Sequence, residues 1–77
     1  MEFKKQLNEI KELLSQKKKF NELCRRANVS LRTIYNTFDA NSFDELKGVR
    51  LDVYKEAIKM VDEINSLQAM AAEALSK

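Results

Sequence analysis

Arg32 and Asn36 are the side chains of this sequence best suited to recognising another molecule, and they stand four positions apart. Arginine forms paired hydrogen bonds with the edge of guanine, and asparagine does so with adenine. Residues with this spacing share one face of a helix, whereas Ile34 and Phe38, also four apart, share another. We therefore predict that Arg32 and Asn36 contact bases in a DNA major groove, with Leu31 against a thymine methyl group.

A second set of residues has the chemistry for binding phosphate. Three consecutive lysines precede an amphipathic segment, where the positive end of a helix adds to their charge. The predicted phosphate contacts are Lys17, Lys18, Lys19, Ser30, Thr33 and Tyr35. Two alternatives stay open: the lysines are an ordinary solvated helix start, and Tyr35 caps the core. The sequence does not decide whether Arg25 and Arg26 face DNA or solvent.

Apolar periodicity defines the helices that position these side chains. Its spacing predicts a first helix over residues 3–15 and a second that ends after Ala27. The apolar positions are Phe3, Leu7, Ile10 and Leu14 in the first, and Phe20, Leu23, Cys24 and Ala27 in the second.

The reversal between the second and third helices is predicted from three consecutive residues. Asn28 tolerates the left-handed conformation that ends a helix, Val29 anchors the turn in the core, and Ser30 is suited to the N-cap. A third helix then starts at Leu31, with Ile34 and Phe38 buried.

Two further elements follow. Ser42 and Glu45 have the spacing of a capping box, and Gly48 is expected to end a helix of one or two turns. The final helix runs over about 50–75, and its apolar stripe is expected to pack on the core up to about Val61. Residues 62–75 are left for a partner. The stripe comprises Val53, Ala57, Met60, Val61, Ile64, Leu67, Ala71 and Leu75.

Composition favours a single all-α domain over residues 1–77, with four to five helices of which the last is long. One glycine, no proline and many strong helix formers leave few chain breaks. Cys24 has no second cysteine to pair with, and no histidine is present to complete a zinc site. We expect Cys24 to pack in the core, with no metal and no cofactor. We also expect no enzyme activity, because no nucleophile stands beside a base and no glycine-rich phosphate loop occurs.

The segment FNELCRRANVSLRTIYNTF, from Phe20 to Phe38, resembles the helix-turn-helix of phage-repressor-type and tetracycline-repressor-type regulators. These families commonly show A-G-V-S followed by a helix ending in Y-x-x-F. Asn28 replaces the turn glycine, and Thr37 stands where many members have a bulkier side chain. The matching positions are Cys24, Ala27, Val29, Ser30, Ile34, Tyr35 and Phe38. The resemblance implies a helix-turn-helix unit over about 18–38, with its second helix presented to the major groove.

Charge is distributed unevenly along the chain. The formal net charge is only +2, but residues 1–38 hold nine Lys and Arg against four acidic residues, and residues 39–77 hold five against eight. A basic half and an acidic half suggest one face for phosphate and another for a different contact. No apolar run is long enough for a membrane span and no signal peptide is present, so we expect a cytoplasmic protein.

Three functions remain open from the sequence. The first is a small transcriptional regulator that binds double-stranded DNA sequence-specifically, as a homodimer through the C-terminal helix, with no small-molecule ligand and no membrane partner. The second is a protein-protein interaction adaptor of the same fold that does not bind DNA, which the low net charge favours. The third is a plain helical oligomer in which the turn motif is accidental.

Overall fold

A computed structural model describes residues 2–75 as four α-helices and one short 3-10 turn. In chain order these are α1 (Glu2–Gln16), α2 (Phe20–Ala27), α3 (Leu31–Phe38), the 3-10 turn (Phe43–Glu45) and α4 (Val49–Leu75). No β-strand occurs in this range. The structure confirms the predicted all-α class with a long final helix.

Helix α1 is amphipathic, as its apolar spacing predicts. Leu7 and Leu14 are completely buried, and Phe3 and Ile10 are partly buried against the core. The helix ends in a turn of three lysines (residues 17–19, the lysine turn). Lys18 there adopts a positive φ of 56°, and the Lys19 N–H donates to the carbonyl of Leu14 at 2.8 Å. The chain leaves α1 abruptly and enters α2 at Phe20.

The reversal between α2 and α3 has the predicted conformation. Asn28 ends α2 in the left-handed region, with φ 56° and ψ 51°, and the Val29 N–H donates to the Cys24 carbonyl at 3.0 Å. Ser30 caps α3, because its Oγ accepts from the Thr33 N–H at 3.4 Å. The cap satisfies a backbone donor that has no partner within the helix. Both predicted helix boundaries, at Asn28 and at Leu31, are therefore confirmed.

The core is built around α4, which contacts all three other helices. Val53, Ala57, Met60 and Ile64 form its buried stripe. The buried apolar residues from the rest of the chain are Leu7, Leu14, Leu23, Ile34, Phe38, Ala40 and Leu46. The predicted burial of Ile34 and Phe38 is confirmed. Thr37 is also fully buried, and its hydroxyl donates to the Thr33 carbonyl at 2.8 Å.

The segment between α3 and α4 differs from its prediction. The Glu45 carboxylate accepts from the backbone N–H groups of Asn41 and Ser42 at 2.8 and 3.1 Å, as a capping box requires. Only a single 3-10 turn forms, and it ends at Leu46, which has an extended backbone conformation and a buried side chain. Gly48, with φ 58°, directly precedes α4 and does not end the previous helix. Its carbonyl accepts from the Asp52 N–H.

The last part of α4 extends beyond the core. Residues 65–75, which we call the extension, are all exposed. They include Leu67, Met70 and Leu75 at 66%, 63% and 87% exposure. The packed part of the stripe ends at Ile64, one turn beyond the predicted limit at Val61. Across residues 2–75, the helices are all too short or too polar to cross a lipid bilayer.

The left-handed residue between α2 and α3 is open to a direct test. Replacing Asn28 by alanine should lower the free energy of unfolding by about 1 kcal/mol, because alanine resists a positive φ, whereas glycine there should keep or raise stability. Asn21→Ala, on an exposed position of the same helix, is the matched control and should change stability by less than about 0.5 kcal/mol. Urea denaturation followed by circular dichroism measures all three. Equal effects of alanine at both positions would contradict the left-handed turn.

Candidate nucleic-acid interface

The outer face of α3 consists of Leu31, Arg32, Tyr35 and Asn36. All four are exposed, Leu31 and Tyr35 at 41% and 43%. Successive residues of a helix are offset by about 100°, so these positions occupy one contiguous side. The buried side of the same helix carries Ile34, Thr37 and Phe38. The three predicted base contacts, Leu31, Arg32 and Asn36, therefore lie together on the exposed surface.

The two predicted hydroxyl contacts at the start of α3 are bonded to each other. Ser30 Oγ and Thr33 Oγ1 lie 3.3 Å apart, and Ser30 Oγ also accepts from the Thr33 N–H. Ser30 is exposed and Thr33 is partly buried. Because a single hydrogen bond joins the two hydroxyls, the hydroxyl that accepts in this pair keeps its own hydrogen for an outside acceptor.

Tyr35 links the outer face to the two preceding helices. Its ring lies edge-on to Phe20, with centroids 5.6 Å apart. The ammonium of Lys11, on α1, lies 5.8 Å from the Tyr35 ring centroid, within the range of a cation–π interaction. Lys11 is not among the contacts predicted from the sequence. The only signal for it is its position beside Ile10, on the border of the apolar stripe of α1.

The lysine turn directly precedes Phe20, the first residue of α2, whose ring contacts Tyr35 of the outer face. Lys17 and Lys18 are exposed, and no carboxylate of the described chain forms an ion pair with either of them. Lys19 differs, because its Nζ lies 3.6 Å from Glu22. An exposed pair of this kind is weak and screened by salt. Lys19 therefore has less free charge to offer a phosphate than its two neighbours.

The two arginines that the sequence left undecided have separate surroundings. Arg26 is held between two carboxylates, 2.9 Å from Glu22 and 2.8 Å from Glu63 on α4. The hydrogen bond with Glu63 is the main reason that the pKa of the Arg26 guanidinium is raised above its ordinary value. Arg26 thus joins α2 to α4 and faces away from the outer face. Arg25 is exposed.

The unpaired positive charges of this region lie on α3 and on the lysine turn. Arg32 and the first two lysines of the turn carry charges unpaired by any carboxylate between residues 2 and 75. Asp39, which is exposed and directly follows α3, adds a negative charge at the C-terminal end of that helix. A polyanion is therefore favoured near the start of α3 and near the lysine turn.

The remaining candidate for chemistry is Cys24, a free and partly buried thiol that packs against the core. The part of the chain that the structure describes contains no group of three His, Cys, Asp or Glu side chains arranged to hold a metal ion.

Comparison of the chain with protein-family models, with curated proteins and with solved structures gives no match. The resemblance of residues 20–38 to helix-turn-helix regulators therefore stays a prediction from the sequence.

Removing side chains from the outer face should affect stability unequally. Tyr35→Ala should lower the free energy of unfolding by about 1–2 kcal/mol, because the edge-on contact with Phe20 is lost. Arg32→Ala and Asn36→Ala should each change it by less than about 0.5 kcal/mol, since neither side chain packs against the core. Chemical denaturation of the three variants checks this. The central value for point mutations is a loss of about 1 kcal/mol. If Asn36→Ala lowers the free energy of unfolding by more than that, the Asn36 side chain has a structural role.

Proposed function

We propose that the chain is a small transcriptional regulator that binds double-stranded DNA sequence-specifically through α3. The outer face of that helix is the observation that carries this proposal. Arg32 and Asn36 project from a helix whose other side is fixed by Ile34 and Phe38, so their positions are set by the core. A rigid helix with exposed arginine and asparagine matches the donor and acceptor pattern of base edges.

The dimensions of α3 suit the major groove. With its side chains an α-helix is about 10–12 Å in diameter, and the major groove is about 12 Å wide, so one helix such as α3 fits across it. In this geometry Arg32 donates two hydrogen bonds to a guanine. Asn36 bonds to an adenine, and Leu31 contacts a thymine methyl group. These three residues select the sequence, because each distinguishes one base from the others.

The phosphate contacts come from the lysine turn and from the hydroxyl groups around α3. Lys17 and Lys18 supply unshared charge, and Lys19 supplies less because of Glu22. Ser30 or Thr33 donates its free hydroxyl hydrogen, and Tyr35 donates from the adjacent edge of the face. Lys11 joins this set through its position over the Tyr35 ring. Such contacts orient the protein without reading the sequence.

The regulator acts by occupying its DNA site as a homodimer, and its function does not include catalysis. Two copies related by a two-fold axis match a palindromic site whose halves are about 34 Å apart, and linking them raises the affinity for the whole site. No small-molecule ligand is part of this function. A cytoplasmic location, expected from the sequence, goes with it and stays a prediction.

The base contacts are tested by the double variant Arg32→Ala with Asn36→Ala. Each bidentate contact discriminates against a wrong base by about 1–3 kcal/mol, so the variant should lose more than about tenfold in affinity for its preferred duplex. It should also lose most of its preference among sequences. Fluorescence anisotropy measures both effects, with duplexes first selected from a random pool by the unaltered protein.

The matched control for that experiment is Arg50→Ala with Asn65→Ala, the same two changes at exposed positions of α4. It removes the same charge but should keep sequence preference. If control and test variants lose equal affinity, α3 does not read the bases. If the unaltered protein shows no NMR shift changes on residues 30–36 with duplex DNA at low salt, DNA binding itself is refuted.

The phosphate contacts have a different signature. Replacing Lys17 and Lys18 by glutamine should weaken binding to all duplexes alike and flatten the slope of log K against log salt by up to about 2, since each phosphate contact contributes about 0.9. Replacing Lys55 and Lys59, which lie on α4, by glutamine makes the same charge change. In that variant the slope of log K against log salt should keep most of the value that it has in the unaltered protein. An unchanged slope in the lysine-turn variant would show that Lys17 and Lys18 do not contact the phosphates.

A second candidate is an adaptor that binds protein and not DNA. The exposed apolar residues Leu67, Met70 and Leu75 favour it, because uncovered apolar side chains along one element commonly mark a contact with protein. The net charge of only +2 also favours it. The NMR titration described above separates the two functions, since an adaptor leaves residues 30–36 unperturbed by DNA.

A further inference from the structure

The extension of α4 has a composition unlike that of the rest of the helix. Residues 49–64 include seven charged residues, whereas the extension, residues 65–75, includes only Glu73. Every residue from 65 to 75 is nevertheless exposed in the single chain. A solvent-facing helix normally carries charges, and their depletion is typical of the centre of a protein–protein interface.

A groove continues this apolar surface between α2 and α4. It has a volume of about 570 Å³. Met60, Ile64 and Leu67 form its apolar floor. Its edge is formed by Lys19 of the lysine turn and by Glu22 and Arg26 of α2, and its wall on α4 also carries Asp62, Glu63 and Ser66. The groove and the extension thus make one continuous surface, which starts beside the ion pairs of Arg26 and runs toward the end of α4.

The order of apolar residues along this surface is symmetric about Leu67. Ile64 and Met70 stand three positions on either side of Leu67, and Met60 and Ala74 stand seven positions on either side. At about 100° per residue, all five lie within one side of the helix. An isologous interface requires a surface that matches itself when the direction of the helix is reversed. The stripe meets that requirement over Ile64, Leu67 and Met70, whereas Met60 is only 1% exposed and stays within the core of its own chain.

We propose that a second copy of the chain occupies this surface, with the two α4 helices antiparallel and crossing at Leu67. Leu67 then faces its equivalent, and Met70 of each copy packs against the part of Ile64 that the groove leaves uncovered in the other copy. The inference deepens the proposed function, on which it rests for its biological purpose, by assigning the homodimer a contact surface and a geometry. Two copies arranged in this way are related by a two-fold axis, as a palindromic site requires.

The charges along α4 are compatible with this pairing. Asp62 and Glu73 lie more than about 100° away from the centre of the stripe, and Asp62 lies at the wall of the groove. Glu63 lies within the stripe, about 40° from its centre, but it is already bonded to Arg26 and faces an alanine, Ala71, in the antiparallel register. No like charges therefore meet across the contact.

The size of the contact predicts a weak dimer. The extension is about 16 Å long and about 10 Å across, so covering its apolar side and the adjoining groove buries on the order of 400 Å² per copy. The total of roughly 800 Å² lies below the roughly 1,000–1,200 Å² at which specific, stable interfaces begin. The dimer should therefore dissociate on dilution through the micromolar range.

The test compares two identical substitutions on the extension. Ala71→Glu places a carboxylate within the stripe and opposite Glu63 of the other copy, so it should weaken the dimer by more than about tenfold. Ala69→Glu places the same group on the opposite side of the helix and should leave dimerisation unchanged. Sedimentation equilibrium without DNA, over a range of protein concentrations, measures the dissociation constants, and circular dichroism checks that both variants stay helical.

A crosslink tests the register independently. In a chain carrying Cys24→Ser and Leu67→Cys, mild oxidation should give a disulfide-linked dimer, because the two positions meet at the two-fold axis. An unaltered protein that stays monomeric up to millimolar concentration overturns the proposal, and another partner then covers the groove. Equal effects of the two glutamates, or no crosslink, also overturn it. Because these measurements use no DNA, a dimer that fails to bind duplex DNA refutes the proposed function while leaving the contact intact.

Discussion

Helix α4 supplies the apolar surface on which the two shortest helices depend. Helices α2 and α3 each contain eight residues, fewer than the roughly 12–15 at which an isolated helix becomes even marginally stable in water. Each persists because its apolar side packs against α4, where fully buried Ala57 allows close approach. The orientation of α3, and with it the direction in which Arg32 and Asn36 project, is therefore determined by the buried stripe of α4.

Local chemistry explains the parts of the fold that the sequence predicts well. Asn28 and Ser30 act on their own backbone neighbours, so their residue types are sufficient to indicate a left-handed stop and an N-cap. The region around Gly48 could not be predicted in the same way. Its conformation depends on the burial of Leu46 against distant helices, a tertiary effect that local spacing does not contain.

The same distinction applies to the candidate site. The exposure of Leu31, Arg32 and Asn36 follows from helical periodicity and could be predicted. The contact of Lys11 with Tyr35 and the pairing of Lys19 with Glu22 depend on side-chain directions that only the packed structure defines. Arg26 is the clearest example, since its partner Glu63 is 37 residues away. This pair also means that the basic and acidic halves of the chain partly neutralise each other.

The extension has a consequence for the energetics and speed of association. It contains Ala69, Ala71, Ala72 and Ala74, and alanine is the residue that most favours a helix while losing no side-chain entropy. Because it continues an α4 already anchored in the core, it also avoids the cost of helix nucleation. A molecule that binds there meets a preorganised surface, so little free energy is spent on ordering it. The encounter is then limited by diffusion and orientation and does not wait for a folding step.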